Sequence, residues 1–457
     1  MKLHDFFKRI EPDKSSKFLH TTYDAFYTFL FQPGEVTHGG GVHVRDGMDL
    51  KRLMVQVVLA LQLCYLFGTW NIGHQHFVAQ GLYEGFLEGL HLKLTYGLIK
   101  IIPIFIVTHL VGLGIEFIYA ANKGHSVEEG FLVSGALIPL IMPPDIPLVW
   151  LAIAVAFAVI LGKEAFGGTG MNIWNVALLA RVFIFFAYPT AIIGDEVWVA
   201  GMENIGSGVF QSQEYGFIYG IFDSIFSAAG WNTFGEGTMM AADGWTGATP
   251  LRLAATGGWE NVTANYSVSQ MWWGVIPGSI GETSKPLIII GMIFLMVTRI
   301  ADWRIIVGGL LGFVACGLFI NGLAPPVDQI TENTPAIFKF MAIPWYHQMI
   351  MGSFLFAITY MATDPVSATS TARGKWIYGF LIAFIGLIIR VLNPAYPEGW
   401  MLSILLLNTF APLIDHYVFA GNMKRRLKRT TQMAKVREEL ITAKQQTGSE
   451  ILSPQNA

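Results

Sequence analysis

Apolar residues of this chain fall into eleven stretches separated by short polar, Gly-containing or Pro-containing turns, a pattern typical of membrane-spanning helices. Five stretches precede a long polar segment and six follow it: residues 53–70, 95–121, 129–143, 147–162, 173–190, 285–302, 304–323, 333–343, 346–363, 375–392 and 399–420. A helix needs about 20 apolar residues to cross the hydrocarbon core, so the stretch at 333–343 is too short to span. The pattern predicts an all-α polytopic membrane protein with about ten transmembrane helices in two groups of five.

The third and fourth stretches are short for bilayer-crossing helices, and prolines interrupt them. These prolines are Pro139, Pro143, Pro144 and Pro147. Discontinuous helices of this kind are typical of transport proteins built from two structural repeats, in which the functional sites lie between the halves at membrane depth. We therefore predict two five-helix repeats that contain short broken or re-entrant helices, with a re-entrant pair as the alternative to two full spans.

The same pattern predicts five regions along the chain: an N-terminal arm at 1–52, a first transmembrane half at 53–190, an insert at 191–284, a second transmembrane half at 285–420 and a tail at 421–457. The insert holds one basic residue against nine acidic ones. Because basic residues concentrate in cytoplasmic loops, the insert is expected on the extracytoplasmic side.

Basic residues also orient the two ends of the chain. The arm is rich in Lys and Arg, and the sequence KRRLKR occupies residues 424–429 directly after the last apolar stretch. Both features predict that the two termini are cytoplasmic. Beyond them, the polar residues 433–457 are expected to form a mobile tail.

Composition agrees with a membrane protein and excludes several kinds of redox centre. The chain has 457 residues, of which 53% are hydrophobic and 13% charged, with a mean hydropathy of +0.49. The two cysteines, Cys64 and Cys316, both lie in apolar stretches, so neither an iron–sulfur cluster nor a disulfide framework is supported. The nucleotide-binding pattern G-x-G-x-x-G is absent from the sequence, and nothing in it indicates nucleic-acid binding.

Residues 243–251, with the sequence DGWTGATPL, lie within the polar insert. Taken alone, a segment rich in Gly, Thr and Pro is an ordinary turn. A threonine hydroxyl is a weak nucleophile, so its modification would need an accessible backbone, which Gly244 and Gly247 would provide.

This segment resembles the D-G-x-x-S/T-G-A-T flavinylation motif of the family that comprises the B subunits of sodium-translocating NADH:quinone oxidoreductases and the D subunits of Rnf complexes. The resemblance implies that Thr249 carries FMN through a phosphoester, with Asp243 and Gly247 in the flavin surroundings. Residues 43–52, with the sequence HVRDGMDLKR, resemble the start of the B-subunit branch and favour it over the Rnf branch.

A second Gly-rich segment, residues 162–172 with the sequence GKEAFGGTGMN, follows the fourth apolar stretch. Consecutive glycines let a flat ring approach the backbone, although a plain helix connector has the same composition. F-G-G-T-G-x-N is also a string of the resembled family, where the two leading glycines are associated with quinone. The resemblance thus implies a quinone-binding role for Gly167 and Gly168.

A third segment, residues 276–284 with the sequence IPGSIGETS, ends the insert. Its hydroxyls and backbone donors could contact a flavin, and Ser279, Glu282 and Thr283 are the candidates. The structural alternative is a helix start, with Ser284 as the N-cap before Lys285. The two roles are compatible, and G-S-x-G-E-T-S is again a family string.

A fourth segment, residues 361–368 with the sequence MATDPVSA, also matches the family. An Asp followed by Pro at a helix end is usually a stop signal. The functional alternative is a site for riboflavin, which the resembled subunit holds noncovalently.

Seven ionisable residues lie inside the apolar stretches: Lys100, His109, Glu116, Arg181, Arg390, Asp415 and His416. Each is costly in hydrocarbon and is expected to face another helix, water or an ion. Sodium prefers oxygen ligands, so Asp415 and Glu116 are the candidates for the Na⁺ pathway, although Asp415 could instead pair with the basic tail. The histidines suggest haem only weakly, because no second His follows at helical spacing.

The resemblance implies a membrane component of a sodium-pumping NADH:ubiquinone oxidoreductase, an enzyme complex of six subunits in the bacterial inner membrane. Its partners would include the periplasmic FMN-bearing C subunit and the NADH-binding F subunit, with covalent FMN, riboflavin, ubiquinone and Na⁺ as its small molecules. Two alternatives remain, an Rnf-type electron-transport subunit and a transporter of urea-channel type without a redox role.

Overall fold

The computed structural model describes residues 9–12, 19–20, 23, 27, 50–123, 130–189, 192, 197–201, 224, 247–326, 330–331, 334–393 and 399–451. Within these residues every regular element is helical, which confirms the predicted all-α polytopic membrane protein. The helices of the first half are α1 (Leu50–Ala79), α2 (Leu90–Lys123), α3 (Phe131–Ile141), α4 (Leu148–Gly162) and α5 (Val176–Ala187). A 3₁₀ turn, Glu164–Phe166, follows α4.

The described part of the insert forms three short helices, and the second half follows them. The insert helices are α6 (Pro250–Gly257), α7 (Trp259–Asn265) and α8 (Val268–Trp273). The second half comprises α9 (Lys285–Val297), α10 (Trp303–Leu323), α11 (Ala336–Met341), α12 (Trp345–Ile350), α13 (Phe354–Phe356) with a π-helical turn at Ala357–Met361, α14 (Ala372–Leu392) and α15 (Trp400–Ile451).

Six helices of the described chain are long and apolar enough to cross a membrane: α1, α2, α4 with its 3₁₀ turn, α10, α14 and α15. The apolar helices α3, α5 and α9 are shorter. The stretch at 333–343 forms only the six-residue α11, as its length predicted. The sequence predicted one continuous span at 346–363, but the structure shows a broken helix there. Gly352 adopts φ +72 and separates α12 from α13.

The proline-rich stretches form two short helices joined by a turn. Helix α3 ends at Ile141, one residue before this Pro-containing turn, and α4 begins directly after Pro147. In the turn, the Asp145 carboxylate accepts hydrogen bonds from Lys100 Nζ on α2 and from the backbone N–H of Gly201, both at 2.6 Å. The turn therefore contacts the insert.

The two halves meet along α1 and the end of the insert. Helix α9 packs against α1, and the amide of Asn71 donates to the Ile276 carbonyl at 2.9 Å. The N–H of Gly281 donates to the Leu140 carbonyl at 2.8 Å, and the Tyr360 hydroxyl donates to the Ala60 carbonyl at 3.3 Å. These contacts place residues 276–284 between the halves, enclosed by α1, α3 and the broken second-half helix.

The last helix continues into the polar tail. Helix α15 runs without interruption from Trp400 through the basic cluster to Ile451, a length of 52 residues. At 1.5 Å per residue it is about 78 Å long, more than twice the thickness of a hydrocarbon core. About half of it therefore extends beyond the membrane.

Candidate functional site

Thr249 occupies the N-cap position of α6. Its backbone is extended (φ −67, ψ 153), Pro250 follows as the first helical residue, and its Oγ1 accepts a hydrogen bond from the N–H of Arg252 at 3.2 Å. Threonine at an N-cap with proline behind it explains why the helix starts here. The side chain is half-buried, so its hydroxyl lies at a helix N-terminus with partial access from outside.

The segment before Thr249 is fixed by the insert itself. Gly247 and Ala248 are buried, and the hydroxyl of Tyr266 donates to the Ala248 carbonyl at 3.1 Å. Burial raises the pKa of Tyr266 above its usual range, so the phenol stays protonated and can donate this bond. Asp243, which the sequence places in the flavin surroundings, lies outside the described residues.

Gly352 connects the Thr249 helix to two buried basic residues. A Cβ placed on this glycine would lie 3.3 Å from Leu251 Cδ2 and 3.1 Å from Arg390 Nη2. The Gly352 carbonyl accepts from Lys285 Nζ at 2.9 Å. The first turn of α6, the start of α9 and the end of α14 therefore meet around one glycine.

Both basic residues are fully buried and bonded to backbone carbonyls. Lys285 Nζ also donates to the Glu282 carbonyl at 2.6 Å, and Arg390 Nη1 donates to the carbonyls of Gln348 and Met351 at 2.8 and 3.1 Å. The Arg390 guanidinium lies 4.8 Å from the centroid of the Trp400 ring. The sequence identified Arg390 only as an ionisable residue within the membrane and Lys285 only as part of a helix start. A lysine at the positive N-terminal end of a helix is unfavourable, and this could have marked Lys285 as unusual.

The predicted flavin contacts Ser279, Glu282 and Thr283 are all buried beside Lys285. The N–H of Ser279 donates to Glu282 Oε1 at 3.3 Å. Within the described chain, Ser279 Oγ, Glu282 Oε2 and Thr283 Oγ1 have no hydrogen-bond partner. A buried polar atom without a partner costs about 1–3 kcal/mol, so this group fits a ligand that supplies hydrogen bonds.

Ser284 lies at the N-cap position of α9, with Pro286 in the first turn, as predicted. Its side chain makes no capping hydrogen bond, so the helix start does not depend on the hydroxyl.

Gly167 and Gly168 follow the C-terminal end of α4. Their φ values are +123 and +102, which side-chain-bearing residues rarely adopt, and the N–H of Gly168 donates to the Lys163 carbonyl at 3.2 Å. Trp174 Nε1 donates to Thr409 Oγ1 at 2.9 Å and joins this loop to α15. Gly167 is exposed and Gly168 is buried, so the loop presents the backbone of Gly167 at a point where the two halves touch again.

Glu116 forms a buried ion pair with Lys163, the residue that directly follows α4. A second pair joins Lys123 and Glu164 at 3.8 Å. Lys163, which lies directly before the glycine loop, therefore neutralises the charge of Glu116, the Na⁺-pathway candidate of the first half.

Asp415 lies in the other half and anchors the start of α14, whose N-cap is Thr371. Its carboxylate accepts from the N–H of Ser370 at 2.7 Å, from the N–H of Thr371 at 3.0 Å and from Thr371 Oγ1 at 2.5 Å. These bonds replace the pairing with the basic tail that the sequence left open. The structure places Asp415 and Glu116 in different halves.

Residues 361–368 form a turn after the π-helical segment. Asp364 accepts from the N–H of Val366 at 3.1 Å and from Ser367 Oγ at 2.8 Å, which is the geometry of a helix stop. On either side of this turn, Thr359 Oγ1 and Thr369 Oγ1 are buried and have no hydrogen-bond partner among the described residues. A π-helical turn in a membrane protein frequently marks a functional site.

The intramembrane histidines do not converge. His109 Nδ1 lies 2.9 Å from the Phe105 carbonyl of its own helix. Across the described ranges, three or more His, Cys, Asp or Glu side chains nowhere gather as they would around a metal ion.

The fold and the site define the class of this chain. It is a polytopic α-helical membrane protein with a threonine at a helix N-terminus of its insert and a glycine pair after the fourth helix. The chain belongs to the NQR2, RnfD, RnfE family, whose model matches residues 38–424. It is 40% identical over 430 residues to the B subunit of the Na⁺-translocating NADH-quinone reductase of Ectopseudomonas mendocina, covering 90% of this chain and 94% of the relative. The corresponding B subunits of Chromohalobacter salexigens and Azotobacter vinelandii are each 39% identical, covering 91% and 90% of this chain and 92% and 94% of their own lengths.

Proposed function

We propose that this chain is a membrane component of a Na⁺-translocating NADH:quinone oxidoreductase and carries electrons through covalent FMN and noncovalent riboflavin to ubiquinone. The family membership and the names of relatives with 39–40% identity support the complex and its reaction. The observation that carries the flavin assignment is the position of Thr249, at a half-buried helix N-terminus that Gly352 and Lys285 link to a buried group of unpartnered polar atoms.

The residues around Thr249 fit an attached phosphate. The hydroxyl oxygen is the attachment atom, and the positive end of the α6 dipole favours negative charge there. FMN, when bound, supplies one-electron redox chemistry that no side chain provides. Lys285, Ser279, Glu282 and Thr283 offer donors and acceptors for its polar edge.

Quinone is assigned to the backbone surface at Gly167 and Gly168. Gly167 is exposed and carries no side chain, so a flat headgroup can approach its peptide groups closely, and the buried Gly168 directly follows it. Riboflavin is assigned to the region of residues 361–368, where buried threonine hydroxyls lack partners among the described residues. NADH is assigned to another subunit.

Sodium movement is assigned to a path that includes Glu116 and Asp415. Both carboxylates are already bonded, one to Lys163 and one to the start of α14, so an ion would have to compete with these bonds. Coupling then requires that redox state changes the ion's affinity for the path.

The assembly we propose is a six-subunit complex of the bacterial inner membrane with both termini of this chain in the cytoplasm. The extracytoplasmic insert faces the FMN-bearing C subunit, and NADH is oxidised in the cytoplasm by the F subunit. An Rnf-type subunit would not reduce quinone, so quinone reduction by the purified complex separates the two branches.

The test is the ultraviolet fluorescence of this chain on a denaturing gel. We expect a fluorescent band that Thr249→Ala removes and Thr246→Ala retains. A band lost only in Thr246→Ala would move the attachment site, and a wild-type chain without fluorescence would exclude covalent flavin altogether.

A further inference from the structure

The part of α15 beyond the basic cluster forms an isolated helix in water. Every described side chain from 421 to 441 is exposed, and the match to the family model ends at residue 424. Most of the stability of helices in proteins comes from packing of an apolar face, and the exposed apolar side chains of this extension are not covered by the described part of the chain. The extension therefore calls for a partner, and its surface indicates which kind.

One face of the extension carries an apolar seam. Met433, Val436 and Leu440 are separated by three and four residues, and 75%, 54% and 59% of their surfaces are exposed. Residues at this spacing share one face of a helix and form the contact line of a coiled coil. They line one shallow groove together with Arg429, Gln432 and Arg437.

The groove is basic at its start, on the contact line, and along one flank. Arg429 lies one turn before Met433, and Arg437 lies directly beside Val436. Acidic side chains at the flanking positions of a partner helix would pair with these arginines, because such positions set partner choice in coiled coils.

A second copy of this chain fits the seam poorly. In a parallel self-pairing, Arg429 would lie on the contact line one step before Met433 and face its own equivalent, as would Arg426 one step earlier. Like charges facing each other across a seam oppose association.

A lipid surface also fits poorly. Helix α15 leaves the bilayer as a continuation of its last span, and Leu440 lies sixteen residues beyond Lys424. At 1.5 Å per residue this is about 24 Å from the level of the basic cluster, too far for the seam to insert.

We propose that Met433, Val436 and Leu440, bordered by Arg429 and Arg437, form a docking site for an amphipathic helix with acidic edges on a cytoplasm-facing subunit of the same complex. This inference rests on the proposed membership of a multi-subunit complex. It adds to that membership a defined cytoplasmic contact outside the region that the family model matches.

The test is site-specific photo-crosslinking in the complete complex, purified through a tag on this chain. A photoreactive phenylalanine analogue replaces Val436, and the matched control replaces Glu438, which is exposed and lies on the opposite side of the helix. We expect one cross-linked product from position 436, containing one other subunit, and at least a tenfold weaker product from position 438. The double variant Arg429→Glu, Arg437→Glu should reduce the product several-fold, as should high salt.

Four results would overturn the docking site: a product of twice the mass of this chain, lipid adducts from position 436, equal products from both positions, or none. Co-purification reports the proposed function separately. If no other subunit co-purifies with the tagged chain, complex membership fails and the docking site fails with it. If the subunits co-purify but do not cross-link from position 436, only the docking site fails.

Discussion

The ammonium group of Lys285 donates to the backbone carbonyl of Gly352, 67 residues along the chain, at 2.9 Å. This bond joins the end of the insert to the break in the second-half helix. Because Gly352 also lies against Leu251, the bond ties both elements to the helix that begins after Thr249. The proposed flavin site is thus held together by a buried lysine.

Replacing this lysine tests its structural role. Lys285→Met should leave the carbonyls of Glu282 and Gly352 without their donor and lower the free energy of unfolding by about 1–3 kcal/mol. Thermal unfolding of the purified protein in detergent measures the change. Lys424→Met, at an exposed position, is the matched control and should change stability little. Equal stability in both variants would contradict the role of the buried bond.

Substitution of Gly167 tests the proposed quinone contact. Gly167→Ala should lower quinone reduction by about tenfold or more and raise the KM for quinone, because a methyl group then occupies the proposed contact surface. Gly170→Ala is the matched control, since its φ of +89 imposes similar strain and its Cβ would meet no atom within 4 Å. Steady-state rates of quinone reduction, measured for both variants, distinguish the two effects. A comparable loss in both variants would show that backbone strain, and not quinone contact, is responsible.

Asp415 anchors the two residues that precede α14, so its ion role must be separated from its structural one. Asp415→Asn should weaken the helix start by about 1 kcal/mol and also raise the Na⁺ concentration needed for half-maximal turnover. Thr371→Ala removes the N-cap hydroxyl that Asp415 holds and leaves the carboxylate in place. It should lower stability without changing the Na⁺ dependence. If both variants shift the Na⁺ dependence equally, Asp415 acts only through the helix start.

The pair of Glu116 and Lys163 can be examined by a double-mutant cycle. Glu116→Gln or Lys163→Met alone leaves a buried charge without its counterion and should cost about 3–5 kcal/mol of stability. The double variant should recover much of this loss because neither charge remains. Additive losses, measured by thermal unfolding, would show that the two charges do not stabilise each other.

The sequence predicted the elements whose causes are local. Apolar stretches indicated the spans, Pro147 marked the start of α4, and Ser284 before Lys285 marked the start of α9. Residues 71–79 were missed as helix because they are polar, yet Asn71 and His76 find buried partners at Ile276 and Ala200. Such partners lie more than a hundred residues away and leave no local signal.

The candidate site likewise contains features with local signals and features that depend on distant residues. Motifs identified Thr249 and the glycine pair, whereas the burial of Lys285 depends on a bond to a distant turn. The bonds from Ser370 and Thr371 to Asp415 likewise join residues 45 and 44 positions apart. No spacing rule within one helix predicts either contact. The sequence did not predict the long helix in the tail, because charged residues are well solvated in a helix and in an irregular chain alike.

Mass spectrometry of the peptide that ends at Arg252 tests the covalent attachment of FMN to Thr249 most directly. We expect that this peptide, from protein purified out of its native membrane, carries the mass of FMN less one water, with fragmentation placing the group on Thr249. In Thr249→Ala the same peptide should be unmodified. An unmodified wild-type peptide, or a flavin placed on another residue, would contradict the assignment.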